Sequence, residues 1–205
     1  GLIRELRGLE SRAISYTNIR NAAGTGFTIA GLVASQCGMP LVTSGHPNSM
    51  RGMDRFLPGA VCIGDLLRQR GYDLSYLGGA RLSFAGKGTF FESHGFDTVL
   101  GFEELQETLE DPAYASNWGL YDDALLDRYL ARFEALSAAK EPFALFGLTM
   151  DTHHPSGHRS RRCGDLVYGD GSNRMLNAVH CTDRLLAQAI RRILASPAAD
   201  RTLLV

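Results

Sequence analysis

The stretch Gly24-Thr25-Gly26-Phe27-Thr28-Ile29-Ala30-Gly31-Leu32-Val33-Ala34-Ser35-Gln36-Cys37-Gly38-Met39-Pro40 opens on glycines and threonines, runs through small and apolar residues, and stops at Gly38 and Pro40. The pattern predicts a flexible turn, a helix from about Thr28 to Gln36, and a hard stop. Thr28 then stands at the helix N-terminus. Unpaired N–H groups and the positive end of the helix dipole there attract anions and favour an alkoxide over an alcohol. A hydroxyl so placed is a candidate nucleophile for a phosphorus or sulfur ester, given a metal or base to take its proton. The plain alternative is an N-cap, a role threonine fills well. Two phosphate motifs are excluded: the stretch has no lysine for a Walker loop, and Ile29 stands where a dinucleotide fingerprint needs its third glycine.

Outward from this stretch, 205 residues suit one domain with a sizeable core. A hydrophobic fraction of 44% and a charged fraction of 21% are those of an ordinary globular chain. The net charge of −1 offers no electrostatic case for nucleic acid. No apolar run reaches membrane-spanning length, and no secretory signal is present. The ends, Gly1-Leu2-Ile3-Arg4 and Thr202-Leu203-Leu204-Val205, read as cuts through a longer protein. The missing membrane segment therefore says little about the parent. Cysteines at 37, 62, 163 and 181 include no Cys-x-x-Cys pair, so a zinc knuckle is disfavoured. Cys163 and Cys181 bracket a polar, glycine-rich loop, and Cys37 and Cys62 bracket another with Pro40, Gly45, Pro47 and Pro58. Pairing Cys37 with Cys62 and Cys163 with Cys181 is the expectation, and an oxidising compartment follows from it. Buried free thiols are the alternative.

Leu2, Ile3, Leu6 and Leu9 recur at helical spacing, and residues 13–19 alternate like a strand. Residues 38–58 read as a long loop, 63–70 as a short helix, and 74–77 as a strand broken by Gly78 and Gly79. A helix over 86–95 and a short strand over 96–100 follow. Residues 122–136 form an amphipathic helix, and 142–150 a strand buried on both faces. A long helix over 173–195 precedes a final buried strand over 201–205. Strands alternating with helices predict an α/β fold: a mostly parallel sheet flanked by helices.

Ligands of such sheets lie beyond the carboxyl ends of the strands, which points to Gly24–Thr28, Gly78–Lys87 and Asp151–Pro155. A hydroxyl, a cation and a histidine together suit phosphoryl transfer. Pro155 prevents His154 and His158 from sharing a helix face, which rules out a helical zinc motif. Solvated loop histidines and a solvated surface lysine are the bland readings of His153, His154 and Lys87. Asp122 reads as the N-cap of its helix, and Trp118 as core or rim.

The run from Gly24 to Leu41 resembles the nucleophile segment of the periplasmic phosphoglycerol transferases. These modify osmoregulated periplasmic glucans and stand with lipoteichoic acid synthase in the alkaline phosphatase and sulfatase superfamily. Thr28 lies 12 positions before Pro40, the spacing at which that family carries its metal-bound nucleophile; Thr25 does not fit it. The resemblance covers nearly the whole chain. It implies an alkaline-phosphatase-like fold, truncated at both ends, and one Mn²⁺ or Mg²⁺ with Thr28 among its ligands. It implies transfer of phosphoglycerol from phosphatidylglycerol to periplasmic glucan through a phosphoglycerol-threonine. The parent would be anchored in the inner membrane by segments outside this chain and would face the periplasm.

The segment 148–155 resembles the family's histidine motif, with His153 at the substrate-binding position. Where lipoteichoic acid synthases carry a tryptophan and an arginine on the glycerol phosphate, this chain has Ala85 and Lys87. Lysine keeps the charge but loses the bidentate fork, which fits the glucan-modifying branch better. The Trp118-Gly119 pair and Asp122 resemble another family motif. The family's remaining metal ligands, a glutamate and an Asp-His pair, would fall outside the chain. By itself the chain is therefore expected to be inactive. A superfamily phosphodiesterase or sulfatase-type hydrolase is the rival enzyme, although the Cys/Ser-x-Pro-x-Arg context of sulfatases is absent at Thr28. A non-catalytic domain binding a glucan or lipid head group is the rival of another class.

Overall fold

The computed structural model describes residues 1–43, 50 and 52–205. The middle of the loop expected over 38–58, with Gly45 and Pro47, lies outside the described residues. In chain order the elements are α1 (Arg4–Arg7), α2 (Thr28–Cys37), α3 (Ile63–Gln69), β1 (Asp73–Gly78), α4 (Lys87–Ser93), β2 (Thr98–Leu100), α5 (Phe102–Gln106), β3 (Ala115–Ser116), β4 (Gly119–Leu120), α6 (Asp122–Ala138), β5 (Phe143–Leu148) and α7 (Arg174–Leu194). They fall into two compact units, residues 16–104 with 140–147 and residues 1–15 with 105–139 and 148–205.

The first unit holds the sheet, in the order β2-β1-β5. Strands β1 and β2 run parallel, Ser75 opposite Thr98 and Leu77 opposite Leu100. Apolar β1 is the inner strand, with Leu74, Tyr76 and Leu77 all about fully buried. An aromatic core lies against it: Tyr76 stacks on Phe91 at 3.8 Å between ring centroids, Phe91 meets Phe96, and Phe96 meets Phe146. Helix α2 buries Ile29, Ala30 and Val33 and ends at Gly38, whose φ of 66° closes it in the left-handed region. The Cys37–Cys62 disulfide ties its last residue to the start of α3.

The second unit is built on α6 and α7. Their apolar stripes, Leu125, Leu126, Leu130 and Phe133 on one and Ala178, Leu185, Ala189 and Ile193 on the other, form its core. Asn173 caps α7 by accepting from the Leu176 amide at 3.1 Å. Four-residue α1 survives because buried Asp183 of α7 accepts from the Glu5 and Leu6 amides, each at 2.9 Å. The Cys163–Cys181 disulfide joins the 156–173 loop to α7. Both pairings are those expected.

Three expectations fail. Residues 13–19 form no strand, and Ile14, Tyr16 and Ile19 are 84%, 76% and 76% exposed. Residues 201–205 end a 3-10 turn and leave Leu203 87% exposed instead of forming a buried strand. Alternating or apolar sequence becomes a strand only where a neighbour takes its N–H and C=O groups, and no ladder among the described residues includes these segments. Strand β5 is half-buried along most of its length, not buried on both faces, because it stands at the end of the strand order.

Candidate active site

Thr28 is the first residue of α2, and the extended residue before it, Phe27, holds the N-cap position. The cap reading of Thr28 is thereby corrected: it is the first helical residue, one position after the cap. It is half-buried, at a helix end whose leading amides lack intrahelical acceptors. Thr25 is used differently, its hydroxyl donating to the Ala22 carbonyl at 2.8 Å within the preceding turn. One threonine is spent on the turn, and the other stands at the helix N-terminus with its hydroxyl uncommitted among the described residues.

Lys87 lies in the same unit, at the start of α4, and α2 packs on the 84–86 turn that delivers it. That turn is unusual. Ala85 and Gly86 are successive left-handed residues with φ of 58° and 72°, a conformation costly for alanine. A Cβ on Gly86 would come 2.2 Å from the Met50 carbonyl oxygen, so glycine is required. Lys87 is 1% exposed, not the solvated charge of the bland reading. Its ammonium sits 5.2 Å from the Phe84 ring centroid. Burial lowers its pKa to about 8, opposed by the charge of Glu103. No carboxylate among the described residues pairs with it.

His153 follows β5 and belongs to the second unit. Its Nδ1 lies 2.7 Å from the His154 carbonyl oxygen, which can only accept. Nδ1 therefore carries the hydrogen, and Nε2 is left to face other groups. The ring stacks on Trp118 at 4.1 Å and on His154 at 4.9 Å. Trp118, 36% exposed, is a rim residue.

Asp122 is not the N-cap of α6, a position Tyr121 holds. Its buried carboxylate anchors the histidine loop: Oδ1 accepts from the Met150 and Asp151 amides at 2.6 and 3.1 Å, and Oδ2 from the Thr182 hydroxyl at 2.9 Å. Asp151 accepts from Ser160 through Oδ2, while its Oδ1 is buried with no hydrogen-bond partner among the described residues. Burial first, and the charge of Asp122 second, push the Asp151 carboxyl up to about 8. Burial also raises Asp122. No helix or strand periodicity marks this network, and nothing in the sequence signals Thr182 as part of it.

The metal expected at Thr28 needs hard oxygen ligands. The metal-competent cluster of His, Cys, Asp and Glu among the described residues is Cys37, Cys62 and His94, a sulfur and nitrogen set. No set of three such side chains other than this one is found among the described residues, and these do not by themselves compose a Mn²⁺ or Mg²⁺ site at Thr28.

The sulfatase family model matches residues 4–205. The chain is 45% identical over 208 residues to phosphoglycerol transferase I of Xanthomonas axonopodis pv. citri (strain 306), covering 100% of this chain and 30% of the relative. It is 43% identical over 206 residues to phosphoglycerol transferase I of Salmonella choleraesuis (strain SC-B67), covering 27% of that relative. The chain thus spans under a third of the curated relatives it matches. Among solved structures, the lipoteichoic acid synthase LtaP from Listeria monocytogenes superposes with a TM-score of 0.74 at 14% identity, over 94% of this chain and 46% of that one. An alkaline phosphatase superfamily protein from Vibrio parahaemolyticus superposes with a TM-score of 0.61 at 24% identity, over 82% of this chain and 39% of that one. These likenesses carry the expected α/β fold.

Proposed function

Because the chain belongs to the sulfatase family, we propose that residues 1–205 are part of one sulfatase-like catalytic domain of a phosphoglycerol transferase, with Thr28 as its nucleophile. The observation that carries this is the contrast between the threonines: Thr25 is tied into its turn, whereas Thr28 stands at the N-terminus of α2 with its hydroxyl uncommitted among the described residues. The names of the curated relatives support the reaction class.

The Thr28 Oγ attacks phosphorus of phosphatidylglycerol, the phosphorus–oxygen bond to diacylglycerol breaks, and that oxygen takes up a proton. A phosphoglycerol-threonine remains. A hydroxyl of a periplasmic glucan then attacks the same phosphorus, frees Thr28 and carries the phosphoglycerol group away. Lys87 neutralises phosphate oxygens, and His153 binds substrate through Nε2. A divalent ion, Mn²⁺ or Mg²⁺, belongs to this reading, as is usual in the superfamily, with Thr28 as one ligand. The catalytic domain would face the periplasm from the inner membrane. No described helix is long and apolar enough to cross a membrane, so the anchor is assigned to other segments of the protein.

The test uses the full-length protein. Thr28→Ala abolishes transfer while leaving the fold intact, and Thr25→Ala keeps most of the activity. Wild type incubated with phosphatidylglycerol and no glucan leaves a phosphoglycerol adduct on the Thr28 peptide, seen by mass spectrometry. Near-normal turnover in Thr28→Ala would overturn the assignment. Release of glycerol phosphate at the same rate with and without glucan would favour a hydrolase.

A further inference from the structure

His94 lies in the first unit and is 2% exposed. Its Nδ1 stands 2.8 Å from Asp65 Oδ2, which also accepts from the Cys62 amide at 2.8 Å. With a carboxylate as its partner, Nδ1 holds the hydrogen, and the lone pair is on Nε2. Nε2 is buried and has no hydrogen-bond partner among the described residues. Buried polar atoms are nearly always satisfied, and an exception asks for a cause such as an absent ion or a redox role. A ring nitrogen of His94 and the sulfurs of Cys37 and Cys62 all lie within 4.8 Å of one another. Neighbouring ligands of a tetrahedral zinc ion are roughly 3.5–4 Å apart, given metal–ligand bonds of about 2.0–2.3 Å.

We propose that the Cys37–Cys62 pair with His94 is a redox-gated metal site, a disulfide when oxidised and a Cys₂His site for Zn²⁺ when reduced. The function proposed above plays no part in this inference. A dithiol reductant is the co-reactant. Its thiolate attacks the Sγ of Cys37, the half-buried partner, and Cys62, 1% exposed, leaves as a thiolate. The second thiol of the reductant then attacks the mixed disulfide, releasing Cys37 and the oxidised reductant. Binding of the cation to two thiolates and the His94 lone pair completes the exchange: protein disulfide, dithiol and M²⁺ give the metal dithiolate, the cyclic disulfide and two protons. Two soft sulfurs and an imidazole select zinc-like ions over Mg²⁺ or Mn²⁺. Asp65 acts behind the histidine, fixing its tautomer and orientation. The consequence concerns α2, which opens on Thr28 and ends on Cys37. Reduction alone releases its C-terminal anchor, and the metal restores it.

Co²⁺ is the probe, added to the chain before and after reduction by a non-thiol phosphine, with circular dichroism confirming retained helix content. Reduced protein takes one Co²⁺ with a thiolate-to-cobalt charge-transfer band, and oxidised protein shows none. His94→Gln weakens binding at least tenfold, and Asp65→Asn weakens it by a smaller factor. Should His94→Gln fail to fold, alkylation of reduced wild type decides: Zn²⁺ protects Cys37 and Cys62 and leaves Cys163 and Cys181 as reactive as before. No charge-transfer band, equal affinity in a folded His94→Gln, or equal protection of all four cysteines would each overturn the site.

Discussion

Lys87 shows what a single residue can hold. Its side chain is buried beside Phe84 and meets no counter-ion among the described residues, so its charge is held at a cost that an anionic ligand would offset. The sign of the pH response follows. The amine titrates at about 8 in the fold against 10.5 for the free side chain, so it is fully charged only below that range. Affinity for a glycerophosphodiester, which keeps one negative charge throughout, should be flat to about pH 7 and fall as pH rises through 8. Stability shifts the other way, rising between 8 and 10.5, because the unfolded chain there binds a proton that the folded one does not. Lys87→Met should remove the pH step and weaken binding by roughly 10–100-fold, the worth of a charged hydrogen bond of about 1.5–3 kcal/mol. Calorimetric titration across pH 6.5 to 9 checks both, with ~ half-unit steps. An unchanged step in Lys87→Met would assign it to another group.

At the scale of elements, the position of the histidine loop is set by α6 and α7 and not by the loop's own sequence. Asp122 at the first turn of α6 and Thr182 in the middle of α7 meet at one carboxylate, which takes the Met150 and Asp151 amides. Asp122→Ala strands two buried amides and the Thr182 hydroxyl, a loss of roughly 3–9 kcal/mol at about 1–3 kcal/mol per unsatisfied group. Asp122→Asn can still accept from the amides and donate to Thr182. It should cost less than half as much, and it removes the negative neighbour that helps raise Asp151. Urea unfolding midpoints at constant m-value would compare the two. Equal losses would mean that charge, not hydrogen bonding, holds the loop.

On the scale of the molecule, neither unit is a contiguous piece of chain. Residues 140–147 return to the unit formed mainly by 16–104, and they bring β5 beside β1. A segment of residues 16–104 expressed alone therefore lacks one neighbour of its inner strand and leaves a face of its core, including Phe96 against Phe146, uncovered. Such a segment should show no cooperative urea transition, while residues 1–205 unfold sharply by circular dichroism. A sharp transition in the segment would show that β1 and β2 with their helices need no third strand.

The sequence by itself determined most of the helices, because 3.6-residue periodicity and caps are local: α2 from its glycine stop, α6 from its apolar stripe, α7 from Asn173 onward. Loop composition pointed to the two disulfide pairings that the fold contains, and the preference for Thr28 over Thr25 came from the family resemblance at Pro40. Only the tertiary structure decided which apolar segments became strands, since a strand needs a partner that lies far away in sequence. Residues 13–19 alternate and 201–205 are apolar, yet neither is paired among the described residues. Burial of charge was likewise out of reach. Lys87 reads as a surface lysine until Phe84 and the left-handed turn at Ala85 and Gly86 enclose it. Asp122 reads as a cap until Met150, Asp151 and Thr182 arrive from distant stretches to occupy both its oxygens. Local pattern records what a segment does with its own backbone; the pKa of a side chain and its partners depend on what the rest of the chain packs around it.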